Sequence, residues 1–308
     1  MIDIIMAVCN GEKYIKEQID SILNQTHQDW RLLIHDDGST DNTVSIVREY
    51  MEKYPQKICL LADDVVTGGA KYNFFHLMKV ADADYIMFSD QDDVWEKDKV
   101  LKSYEFINKR EKELGKDVPI LCHSDLKVVD SKLNIINDSF FDMQQLSKSK
   151  NGFNDLLVQN NITGCTVIMN KALKQLCKEM PDRAIMHDWW LGLLASSFGK
   201  IYHMEHKEIL YRQHDNNTEG AKNLKSVKYL VKKLFNKREI YESLNKSYAQ
   251  AAAFNQIYGS QLSKENKDIL RGYLLMKRGS KFEKWSLMSK YGFMKSGMVR
   301  KISYIFFV

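Results

Sequence analysis

The first ninety residues alternate between short apolar runs and amphipathic stretches, and that rhythm narrows the possible folds more than any other feature of the chain. Ile2 to Val8 suits a buried strand, and Tyr14 to Leu23 then places Ile15, Ile19, Ile22 and Leu23 on one helical face. Trp30 to His35 reads as a second strand, Thr43 to Tyr54 as a helix with Val44, Val47 and Met51 inward, and Ile58 to Ala62 as a third strand. Tyr72 to Ala81 reads as a helix and Tyr85 to Ser89 as a fourth strand. Repeated units of this kind predict an α/β fold, a Rossmann-like and mostly parallel sheet with flanking helices, whose ligands gather at the carboxyl ends of the strands.

Three polar clusters fall at those ends: Asn10-Gly11, Asp36-Asp37-Gly38-Ser39, and Asp90-Gln91-Asp92-Asp93. The last of them packs three carboxylates into four positions, an arrangement whose mutual repulsion calls for a cation. Oxygen ligands on a loop suit Mg²⁺ or Mn²⁺ held together with a substrate diphosphate, although a solvated acidic loop has the same composition. Asp93 is also available to cap the next helix. In the second cluster Asp41 or Ser39 can serve as a helix N-cap, but neither explains two aspartates before the turn. A carboxylate there can accept the imide N–H of uracil or thymine, or a ribose hydroxyl.

Beyond Pro119 the pattern is mixed. Strands are expected near Ile120 to His123, Leu126 to Val129 and Thr163 to Met169, and helices over Lys171 to Lys178 and His187 to Phe198, with a polar stretch from Ser147 to Asn154. The five cysteines are scattered without a CxxC pair, which suggests neither a disulfide framework nor a zinc site and fits a reducing cytoplasm. No basic leader precedes the first apolar run, and no run approaches the roughly 18 apolar residues of a spanning helix, so neither a signal peptide nor a membrane span is expected.

Together, VCNGEKYIKEQIDSILNQT, WRLLIHDDGSTDNT, YIMFSDQDDVW and HDWW, in this order, resemble the family 2 glycosyltransferases of GT-A fold. HDWW with the later YRQH is most similar to the bacterial rhamnosyltransferase-like members that build surface polysaccharides. The resemblance covers residues 1–220 and implies an inverting transferase using a nucleoside-diphosphate sugar, dTDP- or UDP-linked, with Mg²⁺ or Mn²⁺. It implies nucleotide contacts from the backbone around Ala7 and from Asp37 and Asp90, and a metal held by Asp92. Lys71 and Asn73, in TGGAKYNF, lie where many members carry Arg-Asn near the nucleotide. His214 falls where a metal- or phosphate-binding histidine is common, and Arg212 is a candidate to neutralise phosphate or an ordinary surface residue. Asp188 takes the position of the general base, with His187 where glutamate is usual; Gly164 and Cys165 lie in the acceptor-side segment, and Trp189 and Trp190 are candidates to stack on a sugar, one of them belonging to the core. His203 and His206 read as structural.

The charge is unevenly spread. Residues 1–220 carry 26 Lys+Arg against 35 Asp+Glu, whereas residues 221–308 carry 19 against 5. The expected organisation is therefore a GT-A domain over 1–220 and a basic, amphipathic helical region over 221–308, with an apolar stripe of Val227, Val231, Leu234 and Phe235 flanked by Lys225, Lys228, Lys232 and Lys233. Phe235, Trp285, Tyr291, Phe293 and the terminal Ile305 to Val308 interleave apolar groups with that charge. The combination favours a membrane surface, at the inner face of a bacterial membrane where a lipid-linked acceptor would be met, over a solvated or oligomer-forming face; nucleic acid is not expected, because no nucleic-acid motif is present. Asp90 to Val94 also fits the motif of haloacid-dehalogenase-like phosphatases, but those carry it on the first strand and here three strands precede it. A catalytically degenerate assembly partner is the other alternative.

Overall fold

Strand β1 (Ile2–Val8) is buried along nearly its whole length, because it lies in the middle of a sheet and is covered on both faces; this is why its sequence is a continuous apolar run without alternation. The computed structural model describes residues 1–63, 65–214 and 237–308. β1 pairs in parallel with β2 (Trp30–Asp36) on one side and β4 (Tyr85–Ser89) on the other, and β2 pairs in parallel with β3 (Ile58–Leu60). Between them run α1 (Ile15–Leu23), α2 (Thr43–Lys53) and α3 (Ala70–Val80).

The short strand β5 (Val94–Trp95) and α4 (Lys99–Leu114) follow, and then β6 (Ile120–Ser124), β7 (Lys127–Val129) and β8 (Ile135–Asn137). Further along come α5 (Phe140–Met143), α6 (Phe153–Val158), β9 (Ile168–Asn170), α7 (Lys171–Leu176), α8 (His187–Phe198), β10 (Lys200–Met204) and β11 (Ile209–Arg212). The large sheet has the order β10-β6-β9-β4-β1-β2-β3, with β9 antiparallel to β4; a second sheet has the order β5-β11-β7-β8. The expected strand over Thr163 to Met169 is instead a 3₁₀ turn at Gly164–Thr166 followed by β9. Asn170 accounts for β9's sharp end: its side chain accepts the Leu173 N–H and starts α7.

The chain forms two compact units. One comprises Met1–Phe140, Ile162–Met180 and Tyr202–Gly220; the other comprises Phe141–Asn161, Pro181–Ile201 and Ala221–Val308. The second is helical, built on α6, α8, α9 (Lys237–Tyr258), α10 (Lys264–Leu275), α11 (Lys281–Tyr291) and α12 (Met298–Phe307). Its core holds Trp190, Phe254 and Tyr258, with Trp190 edge-on to Phe254. Ser280 and Glu283 form a capping box that begins α11, and Gly292 ends it in the left-handed conformation at φ 72°. The expected stripe of Val227, Val231, Leu234 and Phe235 with its lysines lies outside the described residues. No described helix is long and apolar enough to cross a membrane.

Candidate active site

Because β1, β2 and β4 are parallel neighbours, their carboxyl ends deliver all three polar clusters to one edge of the first unit. There the loops are tied to one another. The Asn10 N–H donates to Ser39 Oγ (2.8 Å), and Asn10 Oδ1 accepts the Thr40 N–H (2.8 Å). Asn10 takes a left-handed φ of 50°, a conformation asparagine tolerates better than most residues. Gln91, the middle residue of the acidic tripeptide, pairs with the Cys9 backbone as a strand would. The Cys9 N–H donates to Gln91 Oε1 and Gln91 Nε2 donates to the Cys9 carbonyl, each at 2.9 Å. Gly11 lies against the same amide, so a Cβ added there would sit 2.3 Å from Gln91 Oε1. Neither expected residue is the N-cap of α2, which is Asn42: Asp41, one residue earlier, accepts the Thr43 N–H at 2.9 Å, while Ser39 pairs with Asp36 and Asn10.

Asp37 sits at the end of β2 and gathers the 67–69 loop. Its carboxylate accepts from the Thr67 N–H and hydroxyl and from the amides of Gly68 and Gly69. Burial alone would raise its pKa, but these four donors outweigh burial and hold it below the usual carboxylate range. Three of the donors converge on Oδ1 and the Gly69 amide alone reaches Oδ2, whose second lone pair can accept a further donor. Ala7 is half-buried on β1, paired in register with His35. Lys71 is half-buried on α3 with its ammonium 4.6 Å from the Tyr72 ring.

Asn73 differs from expectation. It is buried, with Oδ1 2.8 Å from His35 Nδ1 and Nδ2 donating to the His35 carbonyl, so it orients a histidine and has no open face for a nucleotide. His35 Nε2 lies 3.0 Å from Asp63, whose other oxygen meets His76 Nε2 at 2.8 Å. This His35-Asp63-His76 group beside Asn73 has no counterpart among the residues expected from sequence.

The acidic tripeptide is braced from β11. Arg212, expected as a phosphate-neutralising or surface residue, is buried. Its Nε donates to the Asp92 carbonyl (2.8 Å), Nη1 to the Ser131 carbonyl (2.8 Å) and Nη2 to Glu17 (2.6 Å), and the guanidinium lies 4.4 Å from the Tyr14 ring. Two residues on, His214 Nε2 is 2.8 Å from Asp92 Oδ2, and its imidazole packs against Tyr14. A carboxylate oxygen and an imidazole nitrogen meet here, donors of the kinds that Mn²⁺ or Mg²⁺ accepts.

Asp93 does not cap a helix; α4 begins at Lys99, after Asp98. Asp93 is fully buried, and its Oδ1 accepts the Arg212 N–H at 3.1 Å. Burial first, and the charges of Asp92 and Asp90 next, push its pKa well above the carboxylate range. The crowding of three aspartates thus weighs against the charged form of Asp93. Cys165, expected on the acceptor side with Gly164, is buried beside it: the ligand atoms of Asp90, Asp93 and Cys165 lie within 4.8 Å of one another. Burial and the same two carboxylates raise the Cys165 thiol. Lys99 is buried too, its Nζ 3.8 Å from the Trp95 ring, and burial lowers its pKa to about 7.

In the second unit, Asp188 lies in the first turn of α8, mostly buried, and its Oδ1 is 2.6 Å from the Trp189 N–H. Trp189 is half-buried and donates from Nε1 to the Leu156 carbonyl at 2.6 Å. Trp190 is fully buried and belongs to the core, which removes it from contact with a sugar. His187 is buried as well, and burial lowers its pKa to about 3, so it is neutral at physiological pH.

The profile of the family described as glycosyl transferase family 2 matches residues 3–177. The chain is 31% identical over 280 residues to the dTDP-rhamnosyl transferase RfbG of Shigella flexneri, covering 84% of this chain and 88% of that protein. The chain belongs to glycosyl transferase family 2. Solved structures agree with the fold of this glycosyltransferase. S. aureus TarS 1-349 superposes with a TM-score of 0.57 at 18% identity, covering 99% of this chain and 78% of that one. The mannosyltransferase PcManGT of Pyrobaculum calidifontis, solved with GDP-Man and Mn²⁺, gives 0.54 at 12% identity, covering 99% and 83%. The transferase is thus a GT-A protein with a mostly parallel sheet and C-terminal helices. Its His35-Asp63-His76 group went unread in the sequence because the three residues are separated by up to 41 positions and lie on a strand, a loop and a helix.

Proposed function

We propose that this glycosyltransferase moves a hexose, with rhamnose favoured, from a dTDP- or UDP-sugar to a hydroxyl of a lipid-carried saccharide in the making of a surface polysaccharide, with inversion at the anomeric carbon. The pairing of Asp92 with His214 at the strand edge, braced by buried Arg212, carries the reading: it is a preorganised pair of ligands beside a carboxylate-lined crevice. Likeness to a dTDP-rhamnosyl transferase favours that donor, and the GDP-Man and Mn²⁺ bound by PcManGT favour a divalent ion.

In this reading Ala7, Asp37, Asp90 and Lys71 line the nucleotide pocket, with Asn73 acting through His35. Asp92 and His214 would hold the cation, which would supply positive charge against that developing on the departing diphosphate. Asp188 accepts the proton of the acceptor hydroxyl as it attacks, and its burial beside Trp189 suits a carboxylate acting as a base. A single displacement from the face opposite the leaving group inverts the centre. Gly164 and Trp189 lie on the acceptor side, and the residues 1–220 and 221–308 divide the work between catalysis and placement at the cytoplasmic face of the membrane.

Calorimetric titration of dTDP, UDP and GDP into the protein, with and without Mn²⁺, tests the donor site. Metal-dependent binding of dTDP or UDP, lost in Asp92→Ala, is the expected result. Absence of binding by all three nucleotides would overturn the donor-site assignment.

A further inference from the structure

Helix α12 turns its apolar side the wrong way for a core helix. Ser303, Tyr304 and Val308 are buried, whereas Met298, Ile302, Ile305 and Phe306, at spacings of four, three and one, form a single outward stripe in which Met298 is 74% and Phe306 65% exposed. On α11, Phe282 is 82% exposed and its ring lies 6.1 Å from that of exposed Trp285. Trp285 in turn donates from Nε1 to the Ile305 carbonyl at 3.2 Å, so the two helices present their apolar groups as one face. Phe293 and Tyr291, which the sequence offered for insertion, are not part of it: Phe293 is fully buried and packs with Tyr273 and Tyr291.

This face is fixed in place. α11 is held by its capping box and by Gly292, and Phe307 packs on Tyr241 of α9. A contiguous exposed apolar patch on a well-packed unit marks a contact surface. Its surroundings select the occupant. Residues 275–308 carry eight Lys and Arg against one acidic residue, Glu283, which is engaged by Ser280. Lys277, Arg278, Lys281 and Lys301 are all exposed. A second copy would bring the same positive charge against this one, whereas an anionic bilayer complements both charge and apolarity. Nucleic acid would answer the charge but leave Met298, Ile302 and Phe306 without a role.

We propose that the outward face of α11 and α12 lies in the interface of an anionic lipid bilayer, with Phe282, Trp285, Met298 and Phe306 inserted at the headgroup level and the basic side chains on the phosphates. It deepens the membrane placement given under Proposed function, and its test needs no turnover. The full chain is sedimented with phosphatidylcholine vesicles, with and without phosphatidylglycerol, and compared with the triple variant Phe282→Ser, Met298→Ser, Phe306→Ser. All three side chains are exposed, so the variant is expected to keep its melting temperature and its nucleotide binding. The wild type should bind phosphatidylglycerol-containing vesicles and weaken in high salt, and the variant should bind on the order of tenfold or more weakly, as loss of inserted apolar area requires. Lys281→Glu with Lys301→Glu should remove the preference for phosphatidylglycerol. Unchanged vesicle binding by the triple variant overturns the assignment. So does absence of vesicle binding by the wild type, whether the face then proves to join two copies by sedimentation velocity or to hold single-stranded DNA in a gel-shift assay. Nucleotide binding measured on the same samples separates this failure from failure of the donor site.

Discussion

Arg212 concentrates the order of the proposed donor site in one side chain. Its guanidinium joins the Asp92 carbonyl, the Ser131 carbonyl and Glu17, and its backbone amide donates to the buried Asp93. Removing the side chain would leave the Asp92 and Ser131 carbonyls and Glu17 without these donors, while the backbone bond to Asp93 stays. Arg212→Met should therefore cost about 3 kcal/mol of stability in urea unfolding, and Arg212→Lys should restore little, since an ammonium cannot reproduce three bonds in a planar fork. His187 gives a pH signature. It is buried and neutral, with a pKa near 3, while the unfolded chain takes up its proton near pH 6.5. Its contribution to stability is intact above pH 6.5 and is lost progressively as pH falls toward 3, by roughly 4 kcal/mol at most. The non-titrating variant His187→Asn should flatten the acid side of the stability curve measured by thermal melts between pH 7 and 4.

At the scale of elements, the 67–69 loop is held by a carboxylate from a different strand. Asp37→Asn keeps the shape but weakens charge-assisted acceptance of four donors. Faster hydrogen exchange at the amides of Thr67, Gly68 and Gly69 is expected, with nucleotide affinity reduced about tenfold as a preformed loop becomes one that must be ordered on binding. Gly11→Ala should displace Gln91 from its two bonds to Cys9 and impair donor binding in the same assay. Elements with a strong period were legible in the sequence: β1, α1, β2, α2, β4 and α8 stand within a residue of where their apolar spacing puts them. The second sheet was largely illegible, because β5, β8 and β11 have two to four residues and are defined by distant partners, not by local pattern. The terminal Ile305 to Val308 could be read as apolar groups, but nothing local showed which side of α12 faces the core. The acidic tripeptide could be read from its place after β4, whereas the raised pKa of Asp93 depends on burial that only the tertiary structure supplies.

For the whole molecule, the proposed roles divide between the two units: the donor ligands Asp92 and His214 belong to the first, and Asp188 to the second. Asp188→Asn should leave calorimetric binding of the nucleotide unchanged and lower turnover by roughly a hundredfold or more, the usual scale of a lost general base. A loss of nucleotide affinity in that variant would assign Asp188 to the donor pocket instead. The uneven charge along the chain was visible in composition, but its use was not. Among the described residues part of that charge is spent internally, as where Arg300 donates to the Ser296 carbonyl and Lys295 lies near the Tyr304 ring, while Lys277, Arg278, Lys281 and Lys301 are exposed around α11 and α12.

The clasp between Cys9 and Gln91 leaves the Cys9 side chain exposed at the rim of the crevice, its Sγ 3.8 Å from the Asp37 carbonyl. Partial burial and the carboxylates of Asp37, Asp36 and Asp41 raise its pKa, keeping it in the slow-reacting thiol form. On the proposed donor site, Cys9 would serve as a chemical reporter of its occupancy. Maleimide labelling of Cys9 should be sluggish at neutral pH, and a nucleotide filling the crevice should shield it further, so the labelling rate would read binding without a radiolabel or an acceptor in hand.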